Sequence, residues 1–329
     1  MTISCNLHIS NQFLARRSLT LLKTGTYTHP MTDRRLFLAV VVLLSVVLLQ
    51  TAAPRAQALQ RSIYVSVLNA AGAPVLDLGP SDFIVREDNL AREILRVAPA
   101  DAPMQIALMV DNSTASRNNT RDIREGVTEF VKGMTGTEVK HQVALIGVGA
   151  RPTVLVDYTS DQTKLLKGLG GLFPQSQSGT YLMDGIIEAS RGFKKREAAR
   201  PVVVAIVTSG PEYSNRYHDQ VLTALNDVGA SFHIVMIGPP PTDLNTSEGR
   251  ERAVIFSTAT ESTGGRYDNV LAASALADRM KQVANELTHQ YLVTYARPQS
   301  LIPPEHVTIT AKRSELVVRG TPVKSKDGR

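Results

Sequence analysis

Four stretches of the chain are apolar throughout, save for His233 in the last: residues 106–110, 143–148, 202–207 and 232–237. A strand with one wet face alternates, so unbroken burial predicts strands covered on both sides, as in a parallel sheet between helices. The intervening segments change period. Ile123, Val127, Phe130, Val131 and Met134 form one helical stripe, Leu182, Ile186, Ala189 and Phe193 a second, and Leu276, Met280, Val283 and Leu287 a third. Methionine and phenylalanine in such stripes are read as core, not as cofactor contacts. Alternation of strand and helix predicts a doubly wound, Rossmann-like α/β domain over residues 102–288 with right-handed crossovers. His233 falls inside the fourth strand, where a hydrogen-bonded core histidine is expected.

The flanks follow a different pattern. Residues 62–68, 83–87 and 92–97 read as short strands separated by Asn69-Ala70-Ala71-Gly72 and Gly79-Pro80, and residues 291–295, 306–310 and 315–318 supply three more. Three short strands bury too little surface to stand alone. The N-terminal flank (59–101) and the C-terminal flank (289–329) are therefore expected to meet in one small β-sandwich beside the α/β domain, with residues 324–329 as a loose tail.

Residues 1–58 stand apart. Arg34 and Arg35 precede the run 36–49, apolar except for Ser45, and Ala56-Gln57-Ala58 follows: charge, short apolar stretch and small residues, the order of an export signal. The run is shorter than the roughly 20 residues that cross a bilayer. It is read as a cleaved leader, cut after Ala58, in preference to an anchor, with residues 1–30 as an upstream extension. Arg34-Arg35-Leu36-Phe37-Leu38 resembles a twin-arginine motif, while the apolar run behind it suits the general secretory route equally well. The expected product is periplasmic or secreted, without a stable membrane anchor.

Removing the leader changes the composition. The whole chain has 36 Lys/Arg and 30 Asp/Glu; residues 1–58 hold six and one of these, which leaves 30 against 29. The alkaline balance thus belongs to the leader and gives no argument for nucleic acid. The single cysteine, Cys5, goes with it. A mature chain without thiols has no disulfide, thiolate nucleophile or thiolate metal site.

In open parallel sheets, ligands bind beyond the carboxyl ends of the strands. Asp111 follows the first apolar strand, Ser209 and Gly210 the third, Gly238-Pro239-Pro240-Pro241 the fourth, and Ser178-Gly179-Thr180 opens a helix that can reach the same rim. The proline loop, running to about Gly249, is long for its kind and is placed to influence partner choice.

These loops carry a resemblance. Asp111-Asn112-Ser113, Ser178-Gly179-Thr180 and Thr208-Ser209-Gly210 resemble the three metal-site loops of a von Willebrand factor type A domain, and "PSDFIVREDN" (80–89) and "ANELTHQYLVTY" (284–295) resemble segments framing it in the bacterial VWFA-related secreted family. The resemblance implies a Mg²⁺ site built from D-x-S-x-S, a threonine and a third-loop aspartate, with a partner protein's carboxylate on the open position. Asp111, Ser113 and Thr180 match. Ala115 replaces the second serine and Ser209 the aspartate, while Ser116 and Glu212 are possible substitutes. With one direct oxygen and one charge missing, Mg²⁺ is expected to be weakly held or absent, since losing a supporting partner alone costs ~10–100-fold in affinity.

Two readings of the same residues compete. Asp111 and Ser113 could simply cap the helix that follows. Arg117, Arg121 and Arg124, near a helix N-terminus, could hold a partner's carboxylate without metal, although Asp122 and Glu125 are close enough to neutralise them. Enzymatic motifs are missing: there is no G-x-S-x-G, phosphate-binding glycine loop or H-E-x-x-H. His141, His218, His233, His289 and His306 are scattered, and His218 is the one that a serine hydrolase built on Ser113 and Asp111 would need. The sequence therefore predicts an exported, non-enzymatic interaction or adhesion module with a degenerate metal site. The alternative is a scaffold subunit whose β flanks make the contacts.

Overall fold

The computed structural model describes residues 58–240, 245–298 and 302–324. The leader, its expected cleavage site up to Gln57, Pro241 and residues 325–329 lie outside them. Among the described residues no helix is long and apolar enough to cross a membrane.

The four apolar stretches are strands β5 (Gln105–Val110), β6 (Gln142–Gly147), β8 (Pro201–Thr208) and β9 (Ser231–Ile237). They lie side by side in the order β9-β8-β5-β6, and each neighbouring pair is parallel. Alternate residues of each strand enter different cores. Ile106, Leu108 and Val110 face the layer of α1 (Thr120–Thr135) and α6 (Leu276–Thr288), whereas Ala107 and Met109 face that of α3 (Leu182–Lys195) and α4 (His218–Val228). This two-sided burial is why the strands read as continuous apolar runs. The predicted stripes point inward; Phe130 and Phe193 are among the largest fully buried side chains, and each contributes about 1.5–3 kcal/mol by leaving water.

Two further strands complete this sheet. β10 (Tyr267–Val270) adds in parallel beside β9, and β7 (Thr153–Thr159) adds antiparallel beside β6, so the sheet is mixed and not wholly parallel. No residue of β7 is fully buried, and its short run Val154-Leu155-Val156 is neither long enough nor regular enough in alternation to mark a strand.

The flanks form two antiparallel sheets, β13-β1-β11-β4 and β12-β2-β3, made of β1 (Ala58–Leu68), β2 (Phe83–Glu87), β3 (Leu90–Arg92), β4 (Ile94–Pro99), β11 (Tyr291–Pro298), β12 (Val307–Ala311) and β13 (Val317–Pro322). Ile63, Val65, Phe83, Val85, Tyr291 and Val293 share one core, which makes the pair a sandwich of N- and C-terminal strands. The single strand expected at 92–97 is broken at Glu93, because β3 pairs with β2 while β4 pairs with β11: the chain changes sheets there.

Buried polar groups join sandwich to α/β domain. Arg200 donates to the carbonyls of Ala100, Ala102 and Leu287 and to Gln290 Oε1, with its guanidinium 4.5 Å from the Tyr64 ring centroid. Gln290 in turn donates to Ser66 Oγ at 2.9 Å. His233 corrects an expectation: it is fully buried in β9, but neither ring nitrogen has a hydrogen-bond partner among the described residues. Glu286, Arg266 and Arg319 are near enough for their charges to act on the ring, but none of them forms a hydrogen bond to it.

Candidate functional site at the rim of the sheet

Parallel pairing brings the ends of β5 and β8 level, since Val110 pairs with Ile206. Asp111, the next residue, is fully buried. Its Oδ1 accepts the Ser113 N–H at 2.8 Å, and its Oδ2 accepts the Thr208 N–H at 3.1 Å and the Thr208 hydroxyl. One carboxylate thus braces the first loop internally through Ser113 and ties it to the third through two charge-assisted bonds from Thr208.

The second loop closes the ring. Thr114 Oγ1 donates to Gln175 O at 2.9 Å and accepts from Ser178 N at 3.0 Å. Thr180 gives both its N–H (2.8 Å) and its hydroxyl (3.0 Å) to Pro211 O, and its own carbonyl accepts from Tyr213 N at 2.7 Å. Asn112 accepts from Gly149 N at 2.7 Å and donates to Phe173 O at 3.2 Å. The loops meet at the shared rim expected from the sequence, and Asp111, Ser113, Thr180, Ser209 and Gly210 lie on it.

Close approach is built into the glycines. A Cβ on Gly179 would stand 2.7 Å from Pro211 O and 2.9 Å from ring carbons of Tyr213. Gly179→Ala is therefore expected to cost about 1–3 kcal/mol by overpacking and to speed hydrogen exchange of the Tyr213 amide. An unchanged melting curve with unchanged exchange would contradict this account of the rim.

Do these residues fit a divalent ion? Mg²⁺ needs six oxygens in near-octahedral array. Asp111 has both oxygens engaged by donors, and the Thr180 hydroxyl is directed at Pro211 O. Ser116 Oγ, a possible substitute, donates to Ser113 O at 2.8 Å. Glu212, the other, is buried, accepting Ser214 N at 3.2 Å and Leu182 N at 3.4 Å. Burial pushes its pKa up to about 7, against the hydrogen bonds from Ser214 and the charge of Arg252. Ala115 offers no oxygen, and its Cβ would lie 2.6 Å from a Cβ on Gly210. Ser209 is exposed, beside Gly238. Ser113 Oγ is buried and has no hydrogen-bond partner among the described residues. With no oxygen at Ala115, an exposed serine in place of the third-loop aspartate, and an Asp111 carboxylate already accepting three donors, the residues present offer fewer ligands and less negative charge than a tightly held Mg²⁺ needs. Nor, among the described residues, does any group of three or more His, Cys, Asp or Glu side chains offer a metal site.

The capping alternative fares unevenly. Asp111 does accept an N–H two residues on, but Ser113 makes no side-chain cap to the 3-10 turn Thr114–Asn119. Of the three arginines proposed for an anion, Arg124 is committed elsewhere, donating to Leu172 O at 2.8 Å with its guanidinium 5.4 Å from the Phe173 ring centroid. His218 is engaged elsewhere: its Nδ1 lies 2.8 Å from Glu251 Oε2.

Sequence reading missed Arg252, on α5 (Ser247–Val254). Set among Glu248, Arg250 and Glu251, it reads as part of a solvated face, yet it is buried, and its guanidinium donates to the carbonyls of Thr208 and Gly210. Only its contact with a loop distant in sequence marks it out. An open pocket of about 870 Å³ lies beside it, bounded by Tyr181, Tyr213, Pro239, Pro240 and Glu248.

Residues 106–212 match the family model for the von Willebrand factor type A domain. No curated protein matches the chain. Among solved structures, the chain is similar to BatB from Bacteroides thetaiotaomicron (15% identity over 56% of this chain and 98% of that one, TM-score 0.43). It is also similar to a von Willebrand factor type A protein from Catenulispora acidiphila (11% identity, 82% and 73%, TM-score 0.45). A third is the vWF domain of the type V pili tip protein Mfa5 from Porphyromonas gingivalis (13% identity, 57% and 96%, TM-score 0.44).

Proposed function

Because the chain carries a von Willebrand factor type A domain over residues 106–212, we propose that it is a non-enzymatic protein-interaction module, of adhesion type, working through the rim of its sheet. The observation that carries this reading is a set of exposed aromatics on a rigid base. Phe173 (58% exposed) and Tyr213 (53%) project from segments tied to the interlocked loops, through Asn112 and Thr180 respectively, and Tyr217 (60%) stands at the start of α4 just beyond. Exposed aromatic side chains on a fixed scaffold are the usual anchors of protein interfaces. On this rim a partner's carboxylate has no strongly bound ion to meet, so apolar and aromatic contact supplies the affinity. Action outside the cytoplasm, after removal of the leader, belongs to the same proposal, and the N-terminal sequence of the mature protein tests it.

Asp111 is a poor probe of this rim, since any substitution at so buried a carboxylate disturbs the fold first. The test uses exposed positions. A photo-activated cross-linker at Tyr213 in the native host is expected to trap a partner, and Phe173→Asp is expected to cut that yield at least several-fold while Leu90→Asp, on the sandwich, leaves it unchanged. Leu90 and Leu95 are also exposed, at 63% and 43%, which favours the scaffold alternative as second reading. Trapping at Leu90 and none at Tyr213 would establish that reading over the first.

A further inference from the structure

We propose that Arg252 is the resident cation of this rim: it grips the third loop from behind and takes the electrostatic place that a divalent ion would otherwise hold. The inference deepens the rim reading above and rests on it for its biological meaning.

Arg252 is 6% exposed and packs 5.1 Å from the ring centroid of Phe256, one helical turn on. Its Nη1 donates to Gly210 O and its Nη2 to Thr208 O. Its hydrogen-bond partners are therefore neutral carbonyls, and its charge is free to act on its surroundings. The carboxylates that feel it are Glu212 and Asp111, both on the rim. The grip passes forward, because Thr208 also donates its N–H and hydroxyl to Asp111. Guanidinium, third loop, Asp111 and first loop form one connected network of donors and acceptors.

Two consequences follow for a metal ion. An arginine stays protonated at any physiological pH, so an incoming divalent cation meets a fixed like charge behind the third loop in a poorly screened, buried setting. It also finds Asp111 already stabilised by its three donors. The ligand losses at Ala115 and Ser209 and the presence of Arg252 therefore act in the same direction. Phe256, four residues after Arg252 and within the π-helical turn Ile255–Ala259, stacks against its guanidinium, and such turns recur at functional positions.

The test is a Mn²⁺ titration of the full chain without any partner, read by electron paramagnetic resonance and by the thermal melt. Wild type is expected to bind Mn²⁺ no tighter than the ~10⁻⁴–10⁻³ M of extracellular calcium modules and to melt identically with and without EDTA. Restoring the missing ligands as Ala115→Ser with Ser209→Asp is expected to leave binding weak while Arg252 is present. Adding Arg252→Gln is expected to tighten it by roughly 10–100-fold, the range seen for changes in the groups around metal ligands. Tight binding by wild type, or by the ligand-restored chain with Arg252 intact, overturns the proposal, as does a triple variant that binds no better than the double. Should the Arg252→Gln chain not fold, judged by near-ultraviolet dichroism, Arg252→Lys in the ligand-restored background decides. The retained charge must keep Mn²⁺ weak, and tight binding there refutes it. Failure of this titration leaves the cross-linking at Tyr213 unaffected, so the two readings fall separately.

Discussion

Replacing Glu286 by alanine is expected to cost the fold roughly 3–5 kcal/mol, the loss typical when one partner of a buried ion pair is removed. Glu286 is 1% exposed on α6, and its two oxygens serve different parts of the molecule. Oε1 accepts from Arg319 of β13 at 2.6 Å, and Oε2 from Arg266, just before β10, at 2.9 Å. Its pKa is held below the ordinary carboxylate range: burial, the largest influence, pushes up, but Arg319, His233 and Arg266 together outweigh it. Alanine would leave Arg319 without its carboxylate at the joint between the sandwich and the α/β domain. Arg266 retains Asp268, so the damage should concentrate at β13. Urea unfolding measures the loss, and Glu286→Gln, which keeps the shape and one acceptor, should fall between alanine and wild type. A cost below about 1 kcal/mol for alanine, the worth of an exposed pair, would mean that this cluster does not hold the two parts together.

Acid is expected to unfold the protein through its buried histidines. Burial pushes the pKa of His233 down to about 4, with Glu286 opposing and Arg319 and Arg266 reinforcing, and pushes His141 down to about 4 with help from Arg200. His141 Nδ1 accepts the Met104 N–H at 3.1 Å, so protonation there also breaks a bond. Both folded values lie below the unfolded 6.5, so the unfolded chain binds protons first. Their contribution is fully present above about pH 6.5 and is lost as pH falls towards 4. For the fully buried His233, a depression of that size amounts to about 3 kcal/mol at the acid end. His233→Leu, similar in volume and without orphaned nitrogens, should therefore flatten the stability profile between pH 6.5 and 4 and cost little at neutral pH. A variant with the wild-type slope would show that His233 does not titrate with unfolding.

Much of this was legible beforehand, for a simple reason: patterns of burial are local. Four strands were visible because both of their faces are covered, and three helical stripes because one face of each is. The sandwich strands were found by the turn residues between them, although the switch of sheets at Glu93 was not. β7 escaped because an exposed edge strand has no pattern to read. At the rim, the residues brought together were named from sequence; their commitments were not. That Ser116 and Glu212 face backbone partners depends on turns and loops whose geometry no spacing encodes.

Sequence alone determined the α/β order, the membership of the cores and the absence of two expected oxygens, at Ala115 and Ser209, since these depend only on which residue stands where. Tertiary structure decided the charge of the rim. Arg252 lies more than 40 positions from the carbonyls it grips, and a cation's effect depends on distance and burial, which chain order does not fix.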